Sequence, residues 1–484
     1  MSPAEWNKKL AEVAGTKQKK APIIFVCGPK SSGKSTFGKL LANRLLTDTA
    51  DSKKRAWSSV AVLDTDPGQP EYSPPGVISL NKITTPNLSP SFCHHPGIDS
   101  VNTQLRAHAI ASVTPGLAPE HYVSCVHDLF LQHQKSMGTR CPLVINTPGW
   151  VQGTGLDILT ELIKLTRPTE VIYMSLDGPE ETVQALKAAC RGTQLATLPS
   201  QSSEYTSRTS LHLRTMQTMS YFHYNWTQNS RADWDSVPLT EKRPWKVSYF
   251  GKHPGIMGIF CYENQVPPSL LAESINGMIL ALVKVEDLLA FRGLFGQQGA
   301  VHKDTSASGS GGDGDDGEEA APAAPNATDG VIVRTQETLP LIPNHEGITL
   351  DPRYSSTLGL VLVRGIDAER KELQILTPIP DHLLSSAGQK LVLVAGKFDT
   401  PTWAYTEHLY SQGFVESTGG EDEGQRRVDI ADEGTDEDSS EDEESNPSAQ
   451  RDFVEAPWIE ELHGGQKRSV GSKVWRVRRD LGKN

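Results

Sequence analysis

One short segment, the glycine-rich turn GPKSSGKST that begins at Gly28, restricts the possible folds more than any other. It fits the pattern G-x-x-x-x-G-K-[ST], in which glycines let successive backbone N–H groups point at phosphate oxygens. The apolar run IIFVC precedes it, and Ser35–Leu46 carries apolar residues at helical spacing. A buried strand, a turn and a helix in this order predict a P-loop NTPase fold that holds ATP or GTP.

The residues of this loop have distinct predicted roles. Lys34 would reach the β- and γ-phosphates, and the Ser35 hydroxyl would bind Mg²⁺. The positive end of the following helix would face the same anion. The predicted nucleotide site is the nine-residue loop Gly28, Pro29, Lys30, Ser31, Ser32, Gly33, Lys34, Ser35 and Thr36.

Further apolar runs indicate buried strands at Val60–Leu63, Pro142–Ile145 and Val171–Leu176, with helical stretches near 120–135, 156–166 and 180–190. This alternation predicts a mostly parallel α/β sheet with flanking helices. After about Trp245, short strand-like runs between turns predict a β-rich second domain. The predicted division is a helical or frayed lead-in at 1–20, a P-loop domain at 21–245, a β-rich domain at 246–415 with a disordered loop at 303–330, an acidic disordered linker at 416–452 and a C-terminal tail at 453–484.

The net charge of −12 comes from three segments: 416–444 contributes −12, 304–320 contributes −6 and 464–484 contributes +6. The folded remainder is therefore about neutral, and overall charge does not identify what the core binds. The six cysteines contain no C-x-x-C pair, which argues for a reducing compartment and against a zinc site or disulfide framework. The charged N-terminus does not resemble a signal peptide, and charges interrupt the most apolar stretch, Met278–Phe291, so no membrane span is predicted.

Two aspartates, Asp64 and Asp66, follow the second predicted strand in the run DTDPGQ. Carboxylates at the C-terminal end of a strand lie where open α/β sheets bind ligands. Because side chains at i and i+2 of an extended segment point the same way, one carboxylate could hold Mg²⁺ through water while the other faces an acceptor hydroxyl. A purely turn-forming D-x-D-P-G is the alternative.

Three motifs, GPKSSGKST, LDTDPGQPEYSPPG and NTPGWVQGTG, together resemble the polynucleotide 5′-hydroxyl kinases of the Clp type. Within that family, D-x-D-P-G-Q-x-E-x-x-P-P-G and the C-terminal WRVRRDLG are similar to the fungal nucleolar kinases of pre-ribosomal RNA processing. The resemblance is good over residues 20–230 and at the far C-terminus, and loose between them. It implies a nuclear, nucleolar enzyme that uses ATP and Mg²⁺ to phosphorylate RNA with a 5′-hydroxyl end during internal transcribed spacer processing. Relatives usually carry a substantial domain before the phosphate loop, which begins here at Gly28.

The resemblance also implies roles for individual residues. Asp66 would be the general base for the 5′-hydroxyl and Asp64 a ligand in the magnesium shell, although the spacing leaves the reverse assignment open. The implied RNA contacts are Gln69, which would position substrate or nucleotide, Thr114 and Pro115 of the RNA-gripping clasp Thr114-Pro115-Gly116, and Trp150, which would stack on the terminal base. A core tryptophan is the alternative for Trp150.

The stretch Ser207–Tyr224 resembles the family's lid, which would neutralise charge on the transferring phosphoryl group and exclude water. Arg214 and Arg208 are the candidate lid residues, with Arg191 in reserve. Arginines are sparser here than in the lids of relatives, and solvated surface arginines are the alternative.

In the C-terminal tail, Trp475 and Val477 alternate with Arg476, Arg478 and Arg479. This pattern indicates either a basic tail that contacts RNA or a peptide that docks on a protein. The resemblance implies the second: a higher-order complex with a HEPN-type endoribonuclease whose cleavage leaves the 5′-hydroxyl. The acidic run at 416–444 would be a solvating linker or a competitor of RNA for basic surfaces.

Three other functions are alternatives. A non-catalytic scaffold would bind ATP permanently and organise an RNA-processing complex, but the lysine, serine and aspartates needed for catalysis are all present. A GTPase is disfavoured, because Asn81-Lys82 is followed by Ile83-Thr84 instead of completing the guanine-reading N-K-x-D. A kinase of free nucleosides is not excluded by motif.

Overall fold

The computed structural model describes residues 2–15, 20–47, 57–93, 102–176, 178–201, 208–225, 233–262, 266–292, 294, 332–344, 347–384 and 390–408. The predicted loop at 303–330, the linker at 416–452 and the tail at 453–484 lie outside these residues, and so do Trp475, Arg476, Val477, Arg478 and Arg479.

The chain divides into two compact units. The first contains the described part of Met1–Arg243 together with Asp399–His408, and the second is Pro244–Phe398. The first boundary lies close to the predicted 245/246. The second boundary differs from the predicted 415/416, because the residues from Asp399 onward pack with the P-loop unit.

The first unit is a three-layer α/β structure, as predicted. Its helices are α1 (Ala4–Gly15), α2 (Lys34–Thr47), α3 (Pro119–Ser136), α4 (Thr154–Thr166), α5 (Glu180–Ala189) and α6 (Ser210–His223). Its strands are β1 (Ile23–Cys27), β2 (Val60–Asp64), β3 (Val77–Ile83), β4 (Thr103–Ala109), β5 (Leu143–Asn146), β6 (Glu170–Tyr173), β7 (Gln194–Thr197), β8 (Tyr224–Asn225) and β9 (Asp233–Trp234).

Seven of these strands form one sheet in the order β4-β3-β2-β5-β1-β6-β7. The five from β2 to β7 along this order run parallel, and β3 and β4 join antiparallel at one edge. The four central strands are the four predicted from apolar runs. Three strands of this sheet were not predicted. The sequence of β3, VISLNKI, is largely buried but interrupted by polar residues, and the partly exposed, polar sequences of the edge strands β4 and β7, TQLRAHA and QLAT, contain no apolar run.

The sheet is buried on both faces. Alternate residues of β1 point to opposite sides: Phe25 and Cys27 join the core beneath α3, α4 and α5, whereas Ile24 and Val26 join the core beneath α1 and α2. The predicted lead-in is therefore part of the second of these cores, because Trp6 of α1 is only 1% exposed. The Trp6 ring packs edge-on against Phe37 of α2, with 5.6 Å between ring centroids.

The second unit is β-rich, as predicted. It contains β10 (Trp245–Ser248), β11 (Gly258–Cys261), α7 (Leu271–Ile275), β12 (Ile279–Val285), β13 (Val333–Arg334), β14 (Pro340–Ile342), β15 (Ser355–Asp367), β16 (Glu372–Leu376), α8 (Asp381–Leu384) and β17 (Lys390–Ala395). The strands form one mixed sheet in the order β10-β16-β15-β12-β17-β11-β14-β13. This sheet curls towards closure, because Arg334 of β13 donates to the Tyr249 carbonyl beyond β10 at 3.1 Å.

The most apolar stretch of the sequence lies in the middle of this second sheet. Residues Ile279–Val285 form β12, hydrogen-bonded to β15 on one side and β17 on the other. Across the residues that the structure describes, no helix combines the length and apolar character that crossing a membrane requires.

The segment Asp399–His408, here called the brace, packs on α6 in the first unit. Glu407, which is buried, accepts a hydrogen bond from the Leu239 backbone N–H at 2.7 Å and lies 2.6 Å from His223 Nε2. The Trp403 and Phe222 rings are 6.2 Å apart. These contacts hold the C-terminal end of α6 in place.

We expect Glu407→Ala to lower the free energy of unfolding by about 2–3 kcal/mol, because it leaves a buried N–H group without its carboxylate acceptor. Urea denaturation followed by circular dichroism measures this change. The exposed Glu241, which lies close to Leu239 in the sequence, serves as the control, and Glu241→Ala should change stability by less than about 0.5 kcal/mol. Equal effects of the two substitutions would show that the brace contributes nothing to stability.

Candidate active site

The phosphate loop connects β1 to α2 and has the conformation that its glycines permit. Ser31 and Gly33 have φ angles of 62° and 92°, both in the left-handed region. A Cβ at Gly28 would lie 2.9 Å from Met174 Cβ and 3.1 Å from its backbone nitrogen, so a side chain is excluded there. The loop therefore needs glycine at both ends of the G-x-x-x-x-G pattern.

Helix α1 packs against the phosphate loop through Trp6. A Cβ at Gly33 would lie 2.5 Å from the Trp6 ring. The Trp6 indole N–H donates to the Pro199 carbonyl at 2.8 Å, and the Gln201 backbone N–H donates to the Ser32 carbonyl at 3.1 Å. The conformation of the loop thus depends on two distant parts of the chain, Trp6 and the segment 199–201.

Two polar groups of the loop, Lys34 Nζ and Ser32 Oγ, could bind an anion. Lys34 is buried, and its Nζ donates to the Pro29 carbonyl at 2.8 Å. Burial lowers the pKa of Lys34 below its ordinary value, and the negative charge of Asp66 opposes this shift. Ser32 Oγ is buried and has no hydrogen-bond partner among the described residues. A phosphate would supply the missing acceptor and the counter-charge, so the loop fits the triphosphate that its sequence predicts.

Asp64 ends β2 and is completely buried. Its carboxylate accepts hydrogen bonds from the Glu71 backbone N–H at 2.5 Å and from Asn146 Nδ2 at 3.0 Å. Burial raises the pKa of Asp64 to about 7, although these hydrogen bonds oppose the shift. A bound cation beside the carboxylate would favour its ionised form.

Asp66 is half-buried in the turn that follows. Its Oδ1 accepts the backbone N–H groups of Gly68 at 2.9 Å and Gln69 at 3.2 Å. Asp66 Oδ1 therefore stabilises the turn, as expected if the D-x-D-P-G segment forms a turn. Oδ2 receives no hydrogen bond from the described residues, so one carboxylate oxygen is left for an acceptor hydroxyl.

Asn146, the last residue of β5, belongs to the site although no sequence pattern predicted a role for it. Parallel pairing places it beside Val26 of β1 and Asp64 of β2. Its Nδ2 lies 3.4 Å from Ser35 Oγ as well as 3.0 Å from Asp64 Oδ1. A polar residue that directly follows the apolar run PLVI was the available signal.

The clasp turn and Trp150 lie together. Thr114 caps the short 3₁₀ helix Pro115–Leu117 and accepts the Gly116 backbone N–H at 3.3 Å. A Cβ at Gly116 would lie 3.1 Å from the Trp150 ring, which is 36% exposed. Trp150 is therefore a partly exposed aromatic surface, and the core-tryptophan alternative is wrong.

Gly149 connects this pair to the phosphate loop. A Cβ at Gly149 would lie 2.7 Å from both the Lys30 Cα and the Lys30 backbone nitrogen. The NTPGW segment thus packs directly on the phosphate loop, and both lie at the C-terminal edge of the sheet. The structure therefore brings together the nucleotide loop, Asp64, Asp66, the clasp turn and Trp150.

The remaining predicted residues are more scattered. Gln69 is exposed in the Asp66 turn, Arg208 is half-buried just before α6, and Arg191 is exposed after α5. Arg214 on α6 forms an ion pair with Asp399 of the brace, with 2.6 Å between Nε and Oδ2. In this conformation the Arg214 guanidinium is neutralised by Asp399.

The donor set suits a magnesium ion held mainly by a nucleotide. Among the described residues, no group of three or more histidine, cysteine, aspartate or glutamate side chains could hold a metal. Mg²⁺ bound with a nucleotide typically takes one or two protein ligands and completes its shell with phosphates and water. The Ser35 hydroxyl and Asp64, bridged by Asn146, fit this requirement.

Comparisons with known proteins agree with this geometry. Residues 28–224 match the family model described as the mRNA cleavage and polyadenylation factor CLP1 P-loop. A polynucleotide 5′-hydroxyl-kinase GRC3 of Gibberella zeae is 44% identical, aligned over 100% of this chain and 64% of its own length. The grc3 protein of Emericella nidulans is 35% identical over 84% of this chain and 52% of its own length. The chain thus spans between half and two thirds of these relatives.

A solved structure shares the fold. The wild-type Clp1p–Pcf11p complex aligns with 81% of this chain and 78% of that chain, with a TM-score of 0.52 and 13% sequence identity. Residues 28–224, which contain the phosphate loop and the paired aspartates, thus match the CLP1 P-loop family model, and the whole chain is similar to a polynucleotide 5′-hydroxyl-kinase GRC3.

Proposed function

We propose that this chain is the kinase part of an ATP-dependent enzyme that phosphorylates the 5′-hydroxyl end of RNA. One observation carries the proposal: a phosphate loop, two aspartates, a clasp turn and an exposed tryptophan meet at the same edge of one sheet. The relatives in Gibberella zeae and Emericella nidulans are named as polynucleotide 5′-hydroxyl-kinases, which supports this activity. The scaffold alternative explains the phosphate loop but not the acceptor side.

The site supports a direct transfer. Lys34 and the loop N–H groups would hold the β- and γ-phosphates, and Mg²⁺ at Ser35 and Asp64 would supply charge neutralisation when bound. The 5′-hydroxyl oxygen forms a bond to the γ-phosphorus while the bond from that phosphorus to the β–γ bridging oxygen breaks and ADP leaves. The hydroxyl proton passes to the open Oδ2 of Asp66, which favours Asp66 over the buried Asp64 as the base.

The lid assignment remains part of the proposal. Arg214 would contact the transferring phosphoryl group only after its pair with Asp399 opens, and Arg208 lies at the start of the same helix. Closure of a lid on substrate binding commonly rearranges such contacts.

Transfer of label from γ-labelled ATP to a 5′-hydroxyl oligoribonucleotide tests the function. We expect transfer by the wild-type protein and none by Lys34→Ala. If the wild-type protein, with any copurifying partner, shows no transfer above Lys34→Ala, the kinase proposal fails and the scaffold is favoured. Unlabelled nucleosides that compete as well as oligonucleotides would identify a nucleoside kinase.

For Trp150→Ala we expect the KM for the oligonucleotide to rise about tenfold or more, because base stacking on an aromatic ring stabilises binding by about 1–3 kcal/mol. The KM for ATP should stay unchanged, and Trp150→Phe should retain most of the affinity. Steady-state kinetics with varied RNA and varied ATP separate these effects. Trp245→Ala, at another exposed tryptophan, is the control. A parallel rise in both KM values would indicate a structural role for Trp150.

We also propose a setting for this activity: the pre-ribosomal internal transcribed spacer, in a nucleolar complex with a HEPN-type endoribonuclease. The similarity of the C-terminal WRVRRDLG to the fungal nucleolar kinases supports this proposal. Cleavage that leaves a 5′-hydroxyl produces the substrate that the kinase needs. A nuclease held in the same assembly would raise the effective concentration of that new end.

Deletion of residues 464–484 should weaken binding to the nuclease more than binding to RNA, because these residues would dock on the protein partner. Biolayer interferometry with immobilised nuclease and with immobilised RNA, in separate experiments, measures both affinities. Equal losses would instead favour a basic tail that contacts RNA. Charge reversal within the acidic run 416–444 controls for a general electrostatic effect.

A further inference from the structure

Asn146 occupies the one strand that lies between the two halves of the proposed nucleotide site. Its strand, β5, is flanked by β1, which leads into the phosphate loop, and by β2, which ends at Asp64. The side chain is 4% exposed, so its polar atoms are removed from bulk water. Burial of a carboxamide is unfavourable unless its hydrogen bonds are satisfied.

The nitrogen of the Asn146 carboxamide has hydrogen-bond partners. Its Nδ2 donates to Asp64 Oδ1 at 3.0 Å and approaches Ser35 Oγ at 3.4 Å. With a cation bound beside it, Asp64 is ionised and can only accept hydrogen bonds, so the amide nitrogen is the atom that faces Asp64. This requirement fixes which way the carboxamide points.

The oxygen of the carboxamide has no hydrogen-bond partner among the described residues. Asn146 Oδ1 is buried and accepts no hydrogen bond from the residues that the structure describes. Ser35, Asp64 and Asn146 line a common recess. Buried acceptors are almost always satisfied in native proteins by protein, water or ligand. The oxygen therefore needs a donor from outside the described residues, next to the two predicted magnesium-binding groups.

We propose that Asn146 is a positioning residue for the magnesium ion, with two distinct actions. Its Nδ2 aligns the Asp64 carboxylate and the Ser35 hydroxyl, and its Oδ1 accepts a hydrogen bond from water in the hydration shell of the ion. Partners of metal ligands typically change metal affinity by about 10–100-fold when they are removed. The inference rests on the nucleotide-binding part of the proposed function and is independent of RNA.

The test measures nucleotide binding instead of catalysis. A fluorescent, non-hydrolysable ATP analogue is titrated into the wild-type protein and into Asn146→Ala over a range of free Mg²⁺ concentrations, and again in EDTA. In Asn146→Ala we expect the Mg²⁺ concentration for half-maximal enhancement of binding to rise about tenfold. Affinity in EDTA should not change, because the phosphate loop itself is intact.

Asn81 provides a matched control. It is a buried asparagine of the same sheet, 2% exposed, whose Nδ2 donates to Ser79 Oγ at 2.8 Å. Asn81→Ala creates a comparable defect without touching Ser35 or Asp64, so its Mg²⁺ dependence should match that of the wild-type protein. An identical Mg²⁺ dependence in Asn146→Ala and Asn81→Ala overturns the inference.

If the wild-type protein binds no nucleotide under any condition, the proposed function itself fails and this inference falls with it.

Discussion

Asp66→Asn should lower the single-turnover rate of phosphoryl transfer by about 10²–10⁴-fold, the contribution typical of a general base. Asparagine has nearly the same shape, and its Oδ1 can still accept the Gly68 and Gln69 N–H groups that shape the turn. ATP affinity should therefore remain unchanged. Rapid-quench measurement with γ-labelled ATP and saturating oligonucleotide gives the rate, and the fluorescent analogue gives the affinity.

Asp64→Asn is the informative comparison for this prediction. Asp64 is buried and hydrogen-bonded to Asn146, so its loss should change Mg²⁺-dependent nucleotide binding as well as the rate. A rate loss in Asp66→Asn without a change in nucleotide binding assigns the base role to Asp66. Retention of activity in Asp66→Asn, together with loss in Asp64→Asn, would move the base role to Asp64.

Trp6→Ala should lower the free energy of unfolding by about 3–5 kcal/mol, the usual cost of truncating a buried tryptophan. It removes the edge-on contact with Phe37 and the hydrogen bond to the Pro199 carbonyl. It also removes the ring that contacts Gly33, so we expect weaker ATP binding in the fraction that remains folded. Urea denaturation and nucleotide titration measure the two effects.

Two variants serve as controls for Trp6→Ala. Trp6→Phe keeps most of the ring and loses only the indole hydrogen bond, so its effect should be clearly smaller. Trp245→Ala removes a tryptophan that is 46% exposed and should have little effect on stability. If Trp6→Ala matches Trp245→Ala in both measurements, α1 does not support the phosphate loop.

Local sequence patterns predicted the central sheet and the donor side of the site. The four central strands are covered on both faces, so each appears as an uninterrupted apolar run. The phosphate loop could be predicted because its chemistry requires glycine, lysine and serine at a set spacing within nine consecutive residues. The predicted limits of α3 and α5, near 120–135 and 180–190, agree with the structure to within one residue at each end.

Other features could not be predicted because they depend on contacts between residues far apart in the chain. The Trp6 hydrogen bond spans 193 residues, and the His223–Glu407 contact spans 184. No periodicity within a short window encodes either partner. The edge strands were missed for a related reason: their polar faces meet solvent, so their sequences resemble loops.

The sequence by itself determined that this chain has a P-loop fold, that Lys34 and Ser35 belong to the phosphate loop, and that Asp64 and Asp66 follow a neighbouring strand. Only the tertiary structure decided that the two aspartates differ, with Asp64 buried against Asn146 and Asp66 half-exposed in a turn. It also decided that Arg214 pairs with Asp399 and that Asn146 lies between Ser35 and Asp64. The physical reason is that residue spacing specifies local backbone geometry, whereas burial and hydrogen-bond partners depend on which strands become neighbours.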